Sequence, residues 1–132
     1  MTVQSLATYP VHLGKRGSAQ PQPEFTGQMD WYMAYAEATA ADGLDGRLVA
    51  MHTFTAPWES WEMHPLGAEV VVCVSGELVL IQELPDGESK RLELGPGDYA
   101  VNPPGVWHTA DAQGDVTVLF ITAGQGTEHR PR

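Results

Sequence analysis

The chain has 132 residues and a net charge of −10, from seventeen acidic against seven basic side chains, with the apolar and charged fractions of an ordinary globular protein. That length suits one domain with a real hydrophobic core, and the composition argues against wholesale disorder. The acidic balance excludes nucleic acid as a main partner, and the single cysteine, Cys73, excludes an intrachain disulfide and a Cys-based zinc site.

The start MTVQSLATYP carries neither the basic nor the apolar region of a signal peptide. No stretch approaches the roughly 18 apolar residues that a membrane helix needs. A cytoplasmic protein without a membrane partner is expected. Residues 17–27 contain Pro21 and Pro23 and read as a loop. Asp30 then precedes WYMAYAEATAA, rich in helix formers, with Gly43 as a stop, although the same residues also suit a strand. The expectation is one short helix in an amino-terminal arm over about residues 1–46.

From Arg47 onward the texture changes to short apolar runs at 48–55, 69–74, 78–83, 99–102 and 116–122. Gly- and Pro-rich turns separate them, among them Ser75-Gly76, Gly95-Pro96-Gly97 and Pro103-Pro104-Gly105. Many short strands with such punctuation predict an all-β antiparallel barrel over about 47–124, followed by a tail at 125–132.

Alternation along a strand points Glu62 and His64 of WEMH the same way. If the connection 65–68 closes a hairpin, His64 lies directly opposite Glu69, with Cβ atoms roughly 4.5–5.5 Å apart. Glu62 would then sit opposite Val71. Gly97 opens a later strand, and a turn at 103–105 leads to Trp107-His108.

Over residues 60–112 this pattern resembles the cupin superfamily, and in particular small single-domain bacterial cupins of unassigned function. The first cupin motif pairs two ligand histidines one residue apart, then a glutamate and a glycine; here these places hold Glu62, His64, Glu69 and Gly76. The second motif runs glycine, Pro-x-Gly and histidine, matched by Gly97, Pro103, Gly105 and His108. The stretches WEMHP, GEL, PPGVWHTAD and FITAGQGTEHRPR add to the likeness. The resemblance implies a jelly-roll barrel with a short amino-terminal helix and a divalent metal held by His64, Glu69 and His108. Glu62 stands where the first histidine is usual, and Ala112 where an asparagine often closes the second motif. Two imidazoles and two carboxylates form a hard donor set that suits Mn, Fe or Zn better than copper.

Plainer readings stand beside these. Glu62 can form an ordinary ion pair or reach solvent, and the polar pocket can be metal-free, with a carboxyl holding a proton or needing a counter-charge. His52 is a pocket-lining candidate or a hydrogen-bonded structural histidine. Cys73 shares the face of Glu69 and can look into the barrel or serve as a small hydrophobe. Trp107 is expected to pack as core beside His108 or to line the pocket. His12, His129 and the closing residues 128–132 suggest no role. Trp61, Met63, Val70, Val72 and Val74 fall on outward faces, and strands apolar on both sides predict cover, some of it from the amino-terminal forty residues and the rest from a second subunit, hence a homodimer. Two functions follow: a metal-dependent enzyme on a small molecule, for instance an oxygenase or isomerase, or a non-catalytic small-molecule binding or sensing protein. The absence of a DNA-binding domain tips the reading toward the first.

Overall fold

Alternating strands sort this chain into two facing sheets, as the computed structural model shows for residues 1–132. In chain order the elements are β1 (Val11–Leu13), β2 (Ala19–Pro21), α1 (Met29–Ala38), β3 (Arg47–Phe54), β4 (Ser60–Met63), β5 (Glu69–Ser75), β6 (Leu78–Glu83), β7 (Ser89–Leu94), β8 (Tyr99–Asn102), β9 (His108–Ala112), β10 (Val116–Thr122) and β11 (Glu128–Pro131). One antiparallel sheet has the order β2-β1-β3-β10-β5-β8, the other β11-β4-β9-β6-β7. The all-β jelly-roll expectation is met. No helix is long and apolar enough to cross a membrane.

Inward residues of both sheets form the core. Val71 and Cys73 of β5, Leu78 and Leu80 of β6, Ala110 of β9 and Val116 and Val118 of β10 are each 1% exposed or less. Each buried valine or leucine contributes about 1.5–3 kcal/mol by leaving water, so this layer dominates stability. Gly76 turns the chain between β5 and β6 at φ +78°, and a Cβ there would collide with the Asp115 carbonyl oxygen. Only glycine meets both demands.

The amino-terminal arm joins the barrel rather than standing beside it: β1 pairs with β3, and β2 extends the same sheet. The helix is α1, capped by Gln28 with no side-chain hydrogen bond, and Asp30 lies inside the first turn, where it complements the dipole instead of capping. A 3-10 turn over Ala40–Asp45 carries the chain past Gly43. Trp31 is the buried residue of α1, stacked on Tyr35 and edge-on to Phe25. His12 of β1, 1% exposed, ties the helical part of this arm to its strand, bonding Tyr35 Oη at 2.7 Å and Asp42 Oδ2 at 2.7 Å.

The carboxyl-terminal residues also form structure. β11 pairs with β4 along its whole length, as an edge strand in which Pro131 is tolerable.

Candidate metal centre

Strand register builds the site as two polar rows facing each other at one end of the core. In one sheet Glu62 of β4 pairs with His108 of β9, which pairs with Gln82 of β6. In the other, Thr122 of β10 pairs with Glu69 of β5, which pairs with Asn102 of β8. His64 follows the end of β4 and closes the gap. The layer beneath is apolar: Ala110 and Leu80 on one side, Phe120, Val71 and Ala100 on the other.

The expected hairpin does not form, because β4 and β5 lie in different sheets. Glu62 is therefore opposite His108 and His129, not Val71. His64 and Glu69 still meet, but across the interior. His64 Nε2 is 3.2 Å from Glu69 Oε2, and His108 Nε2 is 3.2 Å from Glu69 Oε1. One donor atom from each of His64, Glu69 and His108 can be chosen so that all lie within 4.8 Å of one another. All three residues are buried, at 3%, 4% and 0% exposure.

Hydrogen bonds behind these groups fix their chemistry. Asn102 Nδ2 donates to Glu69 Oε1 at 3.1 Å, and Thr122 Oγ1 donates to Glu69 Oε2 at 2.6 Å. Gln82 Nε2 donates to Asn102 Oδ1 at 2.8 Å, which sets the asparagine with its amide nitrogen toward the carboxylate. Burial works against the Glu69 charge, but His108 and His64 hold its carboxyl well below the usual range.

Thr127 Oγ1 gives its one proton to the Gly124 carbonyl at 2.8 Å, so toward His64 Nδ1, at 2.7 Å, it accepts. His64 thus carries its proton on Nδ1. His108 Nδ1 faces the Val106 carbonyl at 3.4 Å, which also accepts only. In the neutral rings both Nε2 atoms are then lone-pair donors, aimed at an ionised carboxylate. Neither Nε2 is aligned for a hydrogen bond, and both are buried without a partner. Burial opposes protonation of His64, yet Glu69 and Glu62 outweigh it and raise its pKa. Both facts have one cause: the cluster calls for positive charge. A divalent cation among two imidazole nitrogens and a carboxylate answers that demand.

Glu62 occupies the rim. Its side chain is 30% exposed, with Oε1 3.7 Å from His64 Nε2 and 3.9 Å from His129 Nε2. Tyr32 of α1 is close enough that, after burial, the Glu62 charge raises its pKa.

The family model described as Cupin domain matches residues 51–124, more than half of the chain. The chain belongs to the cupin domain family. No functionally curated protein matches it. Among solved structures, this cupin is similar to an oxalate oxidase (TM-score 0.55, 20% identity, 70% of this chain and 49% of that one). It is similar to a mutant oxalate decarboxylase from Bacillus subtilis (TM-score 0.53, 17% identity, 64% of this chain and 23% of that one). A hydroquinone 1,2-dioxygenase in complex with Cd2+ and 4-hydroxybenzonitrile is a third (TM-score 0.51, 17% identity, 58% of this chain and 56% of that one). At such identities the likeness shows the fold alone, and this cupin spans between a quarter and just over half of those proteins.

The three pocket-lining candidates take different places in this cupin. Cys73 faces inward but lies four residues along β5 from Glu69, roughly 13 Å at strand rise. Its thiol turns to the carbonyls of Ser75 and Gly76, in the core at the far end. Trp107 is neither core nor lining: it sits on the outer side, with the Arg130 guanidinium 4.5 Å from its ring centroid. One residue before His108, it points the other way by strand alternation. His52 does face inward, packed among Phe25, Phe54 and Phe120 rather than hydrogen-bonded. Thr127, Asn102, Gln82 and Thr122 were missed by the sequence reading. Gln82 and Thr122 left a signal, as polar residues at inward positions of the runs Leu78, Leu80, Gln82 and Val116, Val118, Phe120, Thr122.

Proposed function

We propose that this protein is a metal-dependent cupin acting on a small oxygenated molecule, with a divalent first-row cation (Mn, Fe or Zn) held by His64, Glu69 and His108. The observation that carries this is the pair of buried, unpartnered imidazole nitrogens facing one buried carboxylate. A bound cation would supply Lewis acidity and, with iron or manganese, access to dioxygen chemistry, which suits an oxygenase or isomerase. This chain's own residues do the rest. Thr127 and Val106 hold the two rings in the ligating tautomer, and Asn102 and Thr122 keep Glu69 oriented. Glu62 is the fourth candidate ligand; where it stays free, it is a base within reach of a ligand entering at the rim.

The test is elemental analysis of protein purified without tag or chelator, beside His64→Ala and Glu62→Ala. Near-stoichiometric metal that disappears in His64→Ala is expected, and its further loss in Glu62→Ala makes that glutamate a ligand. No uptake even after reconstitution with Mn, Fe, Zn and Ni removes the metalloenzyme reading. A small-molecule binding barrel without metal would then be left.

The same protein is proposed to be a homodimer. Register aligns Met51, Leu119, Val72 and Tyr99 in one outward row and Val49, Ile121, Val70 and Val101 in the next. Tyr99 and Val101 are exposed at 67% and 44%. An apolar sheet face of this kind is matched by a second copy of itself about a two-fold axis. Light scattering at micromolar concentration should give a dimer mass, and Tyr99→Lys a monomer; a monomeric wild type overturns the proposal.

A further inference from the structure

Three buried polar side-chain atoms in this protein have no hydrogen-bond partner: His64 Nε2, His108 Nε2 and Trp58 Nε1. The first two belong to the candidate metal centre. The third belongs to a residue just before β4 that neither the family motifs nor the metal reading uses. Trp31, by contrast, donates its indole N–H to the Pro23 carbonyl.

Trp58 is held beside the same centre. Its backbone N–H donates to the Ala110 carbonyl at 2.9 Å, which seats it against β9 two residues from His108. Arg132 donates both to the Trp58 carbonyl and to that of Ala110. The indole lies 6.3 Å from the His108 ring, centroid to centroid, and 6.0 Å from Phe120. Phe120 in turn is two residues from Thr122, which bonds Glu69. The ring thus bridges the strands that carry both halves of the polar layer. Phe54, at 5.4 Å, continues it into an aromatic wall. A buried N–H without an acceptor is costly, and native interiors rarely leave one without a reason.

We propose that the Trp58 indole N–H is a ligand-recognition donor of this site, bonding an oxyanion of the bound small molecule while its planar apolar body lies against Phe54 and Phe120. The inference rests on the metal reading, because the oxyanion is to be shared between the cation and the indole. It narrows the ligand class to small carboxylates or phenolates with a flat apolar portion. Trp58 makes no bond to the cation and selects ligands rather than holding metal. Metal content and ligand affinity therefore respond differently to its loss.

The experiment uses the full chain loaded with Zn2+, a diamagnetic ion, and benzoate as probe. Calorimetry gives the benzoate affinity, and 15N-resolved NMR follows the tryptophan indole N–H signals. Trp58→Phe keeps an aromatic ring and removes the donor. The expected result is unchanged Zn2+ content, undiminished thermal stability and roughly tenfold weaker benzoate binding in the variant. In the wild type, the indole signal missing from Trp58→Phe should move downfield as benzoate saturates. Should that variant fail to fold, variants of Trp31, Trp61 and Trp107 assign the Trp58 signal by elimination and the shift still decides. Equal benzoate affinity in wild type and Trp58→Phe, or an unmoved Trp58 signal at saturation, overturns the recognition role. A Zn2+-loaded wild type that binds no benzoate overturns the ligand class. A chain that takes up none of Zn2+, Mn2+, Fe2+ or Ni2+ overturns the metal reading and this inference with it, and that failure is read from metal content before any ligand is added.

Discussion

Thr127→Val tests the idea that the residues before β11 set the tautomer of His64. The substitution keeps shape and removes the hydroxyl that accepts from His64 Nδ1 at 2.7 Å and donates to the Gly124 carbonyl at 2.8 Å. A neutral His64 is then free to carry its proton on Nε2, the atom that should ligate. Loss of such an orienting partner typically weakens metal binding about 10–100-fold, or roughly 1.4–2.7 kcal/mol. Stability without metal should fall by about 1–2 kcal/mol, for a buried N–H left unpaired and one partly exposed bond lost. In a domain of this size that is a shift of about 4–7 °C in Tm. Zn2+ titration calorimetry and thermal unfolding of wild type, Thr127→Val and Thr127→Ser measure both quantities. Thr127→Ser should behave as wild type, since its hydroxyl can make both bonds. A Thr127→Val protein that binds Zn2+ as tightly as wild type would refute the tautomer argument.

Burial lowers the pKa of His52 below its ordinary 6.5. Between the folded and unfolded values the unfolded chain binds more protons, so stability is lost as pH falls below about 6.5. Urea midpoints at pH 7 and pH 5 should therefore draw closer in His52→Phe than in wild type, and an unaltered difference would count against the assignment. Arg130 stacks on Trp61 at 5.2 Å and Trp107 at 4.5 Å and pairs with Glu83. Arg130→Ala should cost about 1 kcal/mol in chemical denaturation, discounted for partial exposure, with Arg130→Lys recovering only part because it loses the planar stack. Gly76→Ala, which meets both positive φ and the Asp115 carbonyl, should cost at least about 1–3 kcal/mol, and a neutral effect on Tm would contradict the close approach.

Much of this was legible in the sequence because it depends on local spacing. The runs that became β6, β8 and β10 have the expected bounds, β5 differs by a residue at one end, and β3 by a residue at each end. Motif spacing singled out His64, Glu69 and His108, which the fold brings together. What stayed hidden depends on pairings between distant segments. Glu69 meets Asn102 and Thr122 only through the registers of β5 with β8 and β10, and Thr127 reaches His64 only because β11 returns to β4. The hairpin expected at 65–68 failed for the same reason: a compact connection looks alike whether it joins neighbours in one sheet or crosses between two. β7 and β11 were hidden by their charged residues, which are the usual composition of sheet edges. Trp107 was misplaced although alternation from the inward His108 already turns the residue before it outward.

The two facing polar rows draw on β4, β9 and β6 in one sheet and β10, β5 and β8 in the other. No smaller part of the barrel contains the set, so a cation held there would bind only after the last of these pairings has closed. Binding of that kind favours the finished fold over every partly assembled one, by about 2.7 kcal/mol at a free metal concentration 100 times the Kd. The ion would then stabilise the closed barrel as well as supply chemistry.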